Sequence, residues 1–432
     1  MQDLELLVGD QNGVPRGKTV DDASFAPGAS AHFAASVFFQ CINGEYALDA
    51  MKAYCPEDGD LVLVPDWSTC RDVPWKPGDC RQVICETLDK AGKPVPFDPR
   101  NVLKRILARY AEQGWTPIVA PEIEFYLLQP PRRGDQTLVP AAGLNERAEF
   151  GGEALSSDAL DKYAPFLDNV RAMSAGIDIP LQAMMHELGP GQVELNVTHG
   201  EALGQADRLF LVKRLVKACA LQHGYLASFM AKPVMDLPGS GLHAHVSLVD
   251  GQGANLFALR GGKAPEPLRR FIGGLQKYLP GAFALLAPNV NSYRRFVWGS
   301  AAPINLEWGY DNRTVGFRVP HSDDASGRVE NRIAGADANP YLFIAATLAC
   351  GLLGLEEGIE PSDPAEGNAY ALPADLPVDL HDGLRLLSRQ GELTRLLTRH
   401  FVDGFVSVKR EELKDLSRRI TPWEVGYLGS ML

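Results

Sequence analysis

The stretch APEIEFYLL, residues 120–128, alternates like a strand with one apolar face: Ile123 and Phe125 point one way, Glu122 and Glu124 the other. Short β-like runs separated by Pro, Gly and Asp fill the first hundred residues (SVFFQCI, DLVLVPD, RQVICETL), which predicts a small sheet. The pattern then changes to a helical period in FDPRNVLKRILARYAEQG. There Asp98 fits the N-cap, Pro99 the first helical position and Gly114 the stop, and Val102, Leu103, Ile106 and Tyr110 make the apolar stripe. A domain boundary near 98 follows, giving domains 1–98 and 99–432.

Beyond that point helices mix with short strands. SSDALDKYAPFLDNVRAMSAG and EALGQADRLFLVKRLVKACALQHG each read as one amphipathic helix, and Asn339-Pro340 opens an apolar one. No regular strand-helix-strand rhythm appears, so the predicted class is α+β, with an antiparallel or mixed sheet flanked by helices. EPSDPAEGNAYALPADLPVD reads as a long surface loop before a helical C-terminus.

Charge narrows the function. A net charge of -12 argues against nucleic acid as the main partner, since phosphate backbones require a basic face. The uncharged run Tyr341–Leu355 is shorter than the roughly 20 residues of a bilayer span, and predicts a buried helix rather than a membrane one. MQDLELLVGDQNG has no apolar core, so no signal peptide is expected. Seven cysteines without metal-site spacing predict reduced thiols and a cytoplasmic setting.

Three further strands share the oddity of the first. GPGQVELN places Glu194 and Asn196 two apart, with Glu187 just upstream; GSGLHAHVSL does so with His243 and His245, and GRVENRI with Glu330 and Arg332. Taken singly, each is a solvated edge, a surface His pair or a local ion pair. Taken together, with Gly189, Gly191, Gly239 and Gly241 allowing backbone to approach a ligand, they describe one site. Five carboxylates around an imidazole repel one another unless cations neutralise them. Oxygen-rich ligation favours Mg²⁺ or Mn²⁺ over zinc, and so many ligands suit two or more ions. Arg294, Arg295, Arg313, Arg318, Arg328 and Arg332 add guanidiniums suited to a polyanionic substrate such as a nucleoside triphosphate. The residues thus point to metal-dependent phosphoryl transfer, with neither a Walker loop nor a Rossmann glycine motif.

These stretches, with NSYRRF, DNRTVGFRVP and ENRIAGADANPYL, resemble the glutamine synthetase family in order and spacing, from about residue 10 to the final TPWE. The resemblance implies a small N-terminal β-grasp-like domain, a large catalytic domain, and two stacked hexameric rings with active sites shared between neighbouring subunits. It also implies ATP-driven ligation of L-glutamate through γ-glutamyl phosphate. Carried over by motif, Glu124, Glu187 and Glu194 match ligands of the metal nearer glutamate, and Glu122, His243 and Glu330 those of the metal nearer the ATP phosphates. His245, Ser247, Arg318 and Arg328 match nucleotide contacts, Arg295 and Arg332 the glutamate clamp, and Arg313 the group on the transferring phosphate. Gly239 matches a backbone contact to glutamate, and Asp60 an acid that handles the incoming amine across a subunit boundary.

Two positions depart from the ammonia-using pattern. Pro238 stands where those members have Asn, and Ala301, in RRFVWGSAAP, where they place a glutamate. The chain therefore resembles the γ-glutamylpolyamine or γ-glutamylmonoamide synthetase branch, with an alkyl amine expected beside Ala301 and Trp298. An ammonia-using glutamine synthetase is the alternative; a catalytically dead scaffold is disfavoured because all six metal-ligand positions are filled. Tyr370 aligns with a regulatory tyrosine of some bacterial members but lacks its acidic flanks, and is expected to be a loop residue.

Overall fold

The computed structural model describes residues 2–25, 28–132, 137–144, 149 and 153–431. Its first sheet contains β1 (Asp3–Gly9), β2 (Pro15–Asp21), β3 (Ala31–Ala34), β4 (Asp60–Pro65), β5 (Arg71–Asp72) and β6 (Cys80–Leu88). Their order is β2-β1-β6-β4-β3, with β5 beside β6. Among the described residues of this sheet, only β1 and β6 pair in parallel. Leu4, Leu6, Val8, Leu63, Val83 and Phe97 fill the core on one side of it. SVFFQCI, expected as a strand, instead contains a 3-10 turn, Ala35–Phe39. The reason is visible in Phe38 and Phe39, which are adjacent and both fully buried. A strand would send them to opposite faces, whereas the tight turn packs both rings on Phe97, at 5.7 and 4.8 Å.

Helix α1 (Leu48–Tyr54) lies within this part, and α2 (Pro99–Glu112) follows its last strand. The Asp98 carboxylate accepts from the Arg100 amide at 2.8 Å and from the Thr87 hydroxyl at 2.6 Å, capping α2 while tying it to β6. Gly114 takes the left-handed backbone that ends the helix, at φ 73°. Arg100 holds the two parts of the chain together: its guanidinium donates twice to Asp207 at 2.9 Å and once to Asp66 at 2.6 Å.

The second sheet is built around the long strand β7 (Thr116–Leu128). The others are β8 (Leu181–His186), β9 (Gln192–Val197), β10 (Gly200–Glu201), β11 (Leu226–Ser228), β12 (Leu242–Val249), β13 (Trp308–Tyr310), β14 (Phe317–Val319) and β15 (Val329–Asn331). The order is β13-β14-β15-β12-β7-β9-β8, and β10 and β11 also pair with β7. One face carries the apolar alternates, including Ile123, Phe125, Leu195, Ala244 and Val246, into the main core. Covering helices are α3 (Ser157–Asp161), α4 (Ala164–Gly176), α5 (Ala202–Gln222), α6 (Glu266–Leu286), α7 (Val290–Tyr293) and α8 (Pro340–Glu357), followed by four more between Leu380 and Met431.

The single helix expected over 156–176 is two, α3 and α4. Pro165 sits in the first turn of α4, where its missing N–H costs nothing, but mid-helix it would clash with the carbonyl four residues back. Helix α8 is long and apolar enough to cross a membrane by composition, yet 83% of that window is buried within the protein. It packs on α6 closely enough that a Cβ on Gly274 would stand 2.2 Å from the Cys350 carbonyl oxygen. All seven cysteines are free.

Candidate active site

The polar face of the second sheet owes its composition to register. Across β7 and β12, Glu122 stands opposite His243; across β7 and β9, Glu122 stands opposite Asn196 and Glu124 opposite Glu194. Farther along, His245 faces Glu330 and Glu330 faces Arg318. Directly opposed residues share a face with Cβ atoms roughly 5 Å apart. Four separate i, i+2 pairs therefore become one grid of acids, imidazoles and guanidiniums.

The grid floors two adjoining cavities that meet at Glu122, Met185 and Asn196. The larger, 640 Å³, is lined by Glu122, Glu124, Glu187, Glu194, His243, Gly239, Arg295, Ala301, Arg313, Arg318 and Arg332, among others. The second, 590 Å³, is lined by Glu122, His245, Ser247 and Arg328 among others. Asp60 lines neither; it is exposed at the start of β4.

Ligand atoms gather in two groups, Glu122 with Glu194 and His243, and Glu122 with His245 and Glu330, each within 4.8 Å. This differs from the division the sequence implied, because Glu122 is common to both groups and Glu124 is engaged elsewhere. One Glu124 oxygen accepts from Gln192 Nε2 at 3.0 Å and from the Gly241 amide at 2.9 Å, leaving the other 3.9 Å from His243 Nε2. His243 Nδ1 lies 3.5 Å from Glu122 and 3.7 Å from Glu330. His245, expected at the nucleotide alone, also reaches Glu122 through Nε2 at 3.0 Å. Its tautomer follows from Arg328, which can only donate: Nδ1 accepts from the guanidinium at 3.2 Å, so Nε2 carries the proton that bonds Glu122.

The carboxylates are held unequally. Burial, reinforced by Glu122, Glu124 and Glu187, pushes Glu194 up to about 9. Burial and the charge of Glu124 push Glu187 up to about 7. Burial also acts against ionised Glu122 and Glu330. Hydrogen bonds from His243 and His245 outweigh it at Glu122, and the charge of Arg332 and the two imidazoles outweighs it at Glu330, so both sit below the usual carboxylate range. The donor set fits hard divalent cations: clustered oxygens with imidazole, acids whose mutual repulsion favours the proton, and a buried Asn196 Oδ1 beside Glu194 with no partner among the described residues.

Guanidiniums close the other side. Glu330 accepts from Arg332 at 2.5 Å and Arg318 at 3.0 Å, and Arg318 reaches Asp311 at 2.7 Å. Arg332 Nε is buried with no partner among the described residues, a donor available to an anion. Burial lowers Arg295 to about 10, and its Nη1 donates to the Ile333 carbonyl at 2.8 Å. The glycines serve this packing more than a ligand: a Cβ on Gly241 would stand 2.8 Å from Arg295 Nη2, and one on Gly239 2.8 Å from Arg295 Cγ. Arg313 is exposed in the cleft wall.

The expected surface loop 360–379 is only partly one. Ala369 is fully buried, and Tyr370 enters the cleft wall with its hydroxyl donating to the Ala302 carbonyl at 3.1 Å. Trp298 is mostly exposed and does not line the cleft; its ring meets that of Tyr370 edge-on at 6.3 Å. Gln192 was also missed, although it extends the i, i+2 series of β9 and bridges Glu124 to the Gly239 carbonyl, both at 3.0 Å. Tyr370 was expected as a loop residue, and nothing local marked it for the cleft wall.

Comparison with known proteins agrees with this geometry. Residues 96–428 match the family model "Glutamine synthetase, catalytic domain". Gamma-glutamylputrescine synthetase of Escherichia coli (strain K12) is 34% identical over 434 residues, 99% of this chain and 91% of that protein. Glutamate–isopropylamine ligase of Pseudomonas sp is 33% identical over 436 residues, 98% and 94% of the two chains. The solved structure "Apo GmaS without ligand" superposes with a TM-score of 0.87 at 30% identity, covering 100% of this chain and 97% of that one.

Proposed function

The chain belongs to the glutamine synthetase family, and from that premise we propose that it is the ATP-dependent ligase of L-glutamate with an alkyl amine. Ala301 carries this reading. It lies in the cleft wall beside Ser300 and Ala302, so the loop that would need an acid to bind and deprotonate ammonium offers only methyl and hydroxyl groups. An alkyl amine supplies apolar contacts in place of that acid.

In this reading Glu124, Glu187 and Glu194, with Glu122, His243 and Glu330, hold Mg²⁺ or Mn²⁺. Bound there, the ions would offset the charge of the acids and of the ATP phosphates. Arg332, through its unpartnered Nε, and the backbone-anchored Arg295 take a glutamate carboxylate. Arg313, exposed in the wall, meets negative charge on the γ-phosphoryl group as it passes to the glutamate side chain, while His245, Ser247, Arg318 and Arg328 line the nucleotide side. The amine then attacks γ-glutamyl phosphate and releases phosphate.

We place the protein in stacked hexameric rings, with Asp60 serving the neighbouring subunit's site as the amine's base. Exposed apolar side chains support such contacts: Ile42 and Leu48 in the small domain, Trp423 and Val425 in the C-terminal helix. The test is ADP release with glutamate and a panel of amines. A higher kcat/KM for at least one primary alkyl amine than for ammonium is expected; ammonium outranking every amine would overturn the reading.

A further inference from the structure

The two histidines of β12 share one face of the sheet, yet only one of them is placed to give a lone pair to a cation. His243 is ringed by acids: its Nδ1 lies 3.5 Å from Glu122 and 3.7 Å from Glu330, and its Nε2 lies 3.9 Å from Glu124. Whichever nitrogen binds an ion, the other finds an acceptor for its proton, which is what a ligating imidazole requires. His245 stands differently. Its Nε2 is 3.0 Å from a Glu122 oxygen. That spacing suits two ligand atoms on one ion, which stand about 3 Å apart when the bonds are about 2.0–2.2 Å long. Its Nδ1, however, meets Arg328 Nε at 3.2 Å. A guanidinium only donates, so His245 keeps its proton on Nε2, on the lone pair that an ion would need.

The fold fixes Arg328 in this position. Asn255, just past β12, donates to the Ala325 and Gly327 carbonyls at 2.9 and 2.8 Å, and Arg328 Nη1 donates to the Ser326 carbonyl at 3.1 Å. A Cβ on Gly327 would stand 2.1 Å from the Phe257 carbonyl oxygen, so the turn before β15 is closely packed. Both nitrogens of His245 are thus engaged by residues of one chain. These contacts use Nε and Nη1 of Arg328 and leave Nη2 to the nucleotide phosphates that the proposed function gives it. A second imidazole would shift an oxygen-rich site toward Zn²⁺, which suits nitrogen better than Mg²⁺ does. His245 would supply it if its proton moved to Nδ1.

Resting on the divalent-cation part of the proposed function, we infer that Arg328 is a positioning residue for metal selectivity: by holding the His245 proton on Nε2 it limits the cluster to one ligating imidazole, His243, and so to hard cations. The test titrates metal-free, full-length protein with Mg²⁺ and with Zn²⁺, without nucleotide, and compares the two affinities by calorimetry. Arg328→Gln, whose side-chain carbonyl can accept from Nδ1–H, should raise the ratio of Zn²⁺ to Mg²⁺ affinity by about 10- to 100-fold, the range for a changed partner behind a ligating imidazole. Arg328→Lys, which still only donates, should stay close to wild type. In a His245→Ala background, Arg328→Gln should leave the ratio unmoved. Because the ratio compares two dications on one protein, the lost positive charge and any misfolded fraction act on both alike. An unmoved ratio in Arg328→Gln, a rise that survives removal of His245, or an equal rise in Arg328→Lys would each overturn the inference while leaving the metal site in place. If wild type takes up neither ion at this cluster, the metal part of the proposed function fails and the inference falls with it.

Discussion

Replacing Ala301 with glutamate should return the enzyme to ammonium, and the structure sets the size of the change. Ala301 has a left-handed backbone, at φ 63°. Alanine and glutamate both carry a Cβ, so the substitution adds no new backbone strain, and the exposed position turns the added side chain toward the cleft. In a cavity shared with Arg295, Arg313 and Arg332, the new carboxylate stays ionised. One charge-assisted hydrogen bond to ammonium is worth roughly 1.5–3 kcal/mol, about 10- to 150-fold in kcat/KM. The same side chain fills space that an alkyl chain would use. Excluding two methylenes costs about 1.6 kcal/mol, roughly 15-fold. The preference for n-butylamine over ammonium should therefore swing by about two to three powers of ten. Ala301→Gln separates the two effects: it should depress alkylamine turnover through bulk without the gain for ammonium. Steady-state ADP release with each amine at saturating ATP and glutamate measures all three proteins. If Ala301→Glu leaves the ratio where it was, or Ala301→Gln changes it equally, charge at position 301 does not choose the nucleophile.

The acid cluster makes metal binding a proton-releasing event. With Glu194 at about 9 and Glu187 at about 7, Mg²⁺ titrated into metal-free protein at pH 7 should displace about one to one and a half protons per site, seen by calorimetry in buffers of different ionisation enthalpy. The sign for stability follows: a carboxyl raised above its unfolded value stabilises below that value and loses this as pH rises through the folded one. Metal-free protein should thus lose Tm between about pH 5 and 9, and Glu194→Gln should flatten that slope; a parallel slope in the variant would contradict the assignment. Glu330→Ala strands the buried guanidinium of Arg332, while Arg318 keeps Asp311, so it should destabilise the fold by about 3 kcal/mol as well as weaken ADP binding. Arg100→Met leaves Asp207 and Asp66 unpaired between the two parts of the chain and should cost a similar amount in urea unfolding; a change below about 1 kcal/mol would show the network to be dispensable. Mixed oligomers of Asp60→Ala and Glu187→Ala chains should recover activity if sites are shared, and complete silence in proven mixtures would count against sharing.

How much of this was legible in the sequence depended on whether the signal was periodic. The polar faces of β7, β9 and β12 could be read because a strand repeats every two residues, and Asp98, Pro99 and Gly114 marked α2 because caps need particular residue types. The misreadings lie where one local pattern fits two structures. Phe38 and Phe39 suit a strand by composition and a buried 3-10 turn by packing, and the apolar spacing of 156–176 ran unbroken through Pro165. How the acids and imidazoles gather was beyond reach for a different reason: whether Glu122 joins one group or two depends on the register of β7 against β12 and β9, which no single strand contains.

That distinction also explains how the site can combine fixed chemistry with a changeable nucleophile. Most of the acids and imidazoles stand on strands whose ladders lock them opposite one another, so a register slip of one residue would turn Glu122 and His243 into the core and destroy the cluster along with the sheet. Ala301 and Tyr370 belong to segments outside the ladder, joined by the Tyr370 hydroxyl donating to the Ala302 carbonyl and by Asn305 donating to the Ala369 carbonyl. Residues there answer to the shape of the cleft and hardly at all to the sheet beneath it. On the proposed function, a substitution at 301 should alter which amine fits while the ladder of acids and imidazoles keeps its geometry. The substrate of such a protein is therefore to be sought in its loops, and its reaction in its strands.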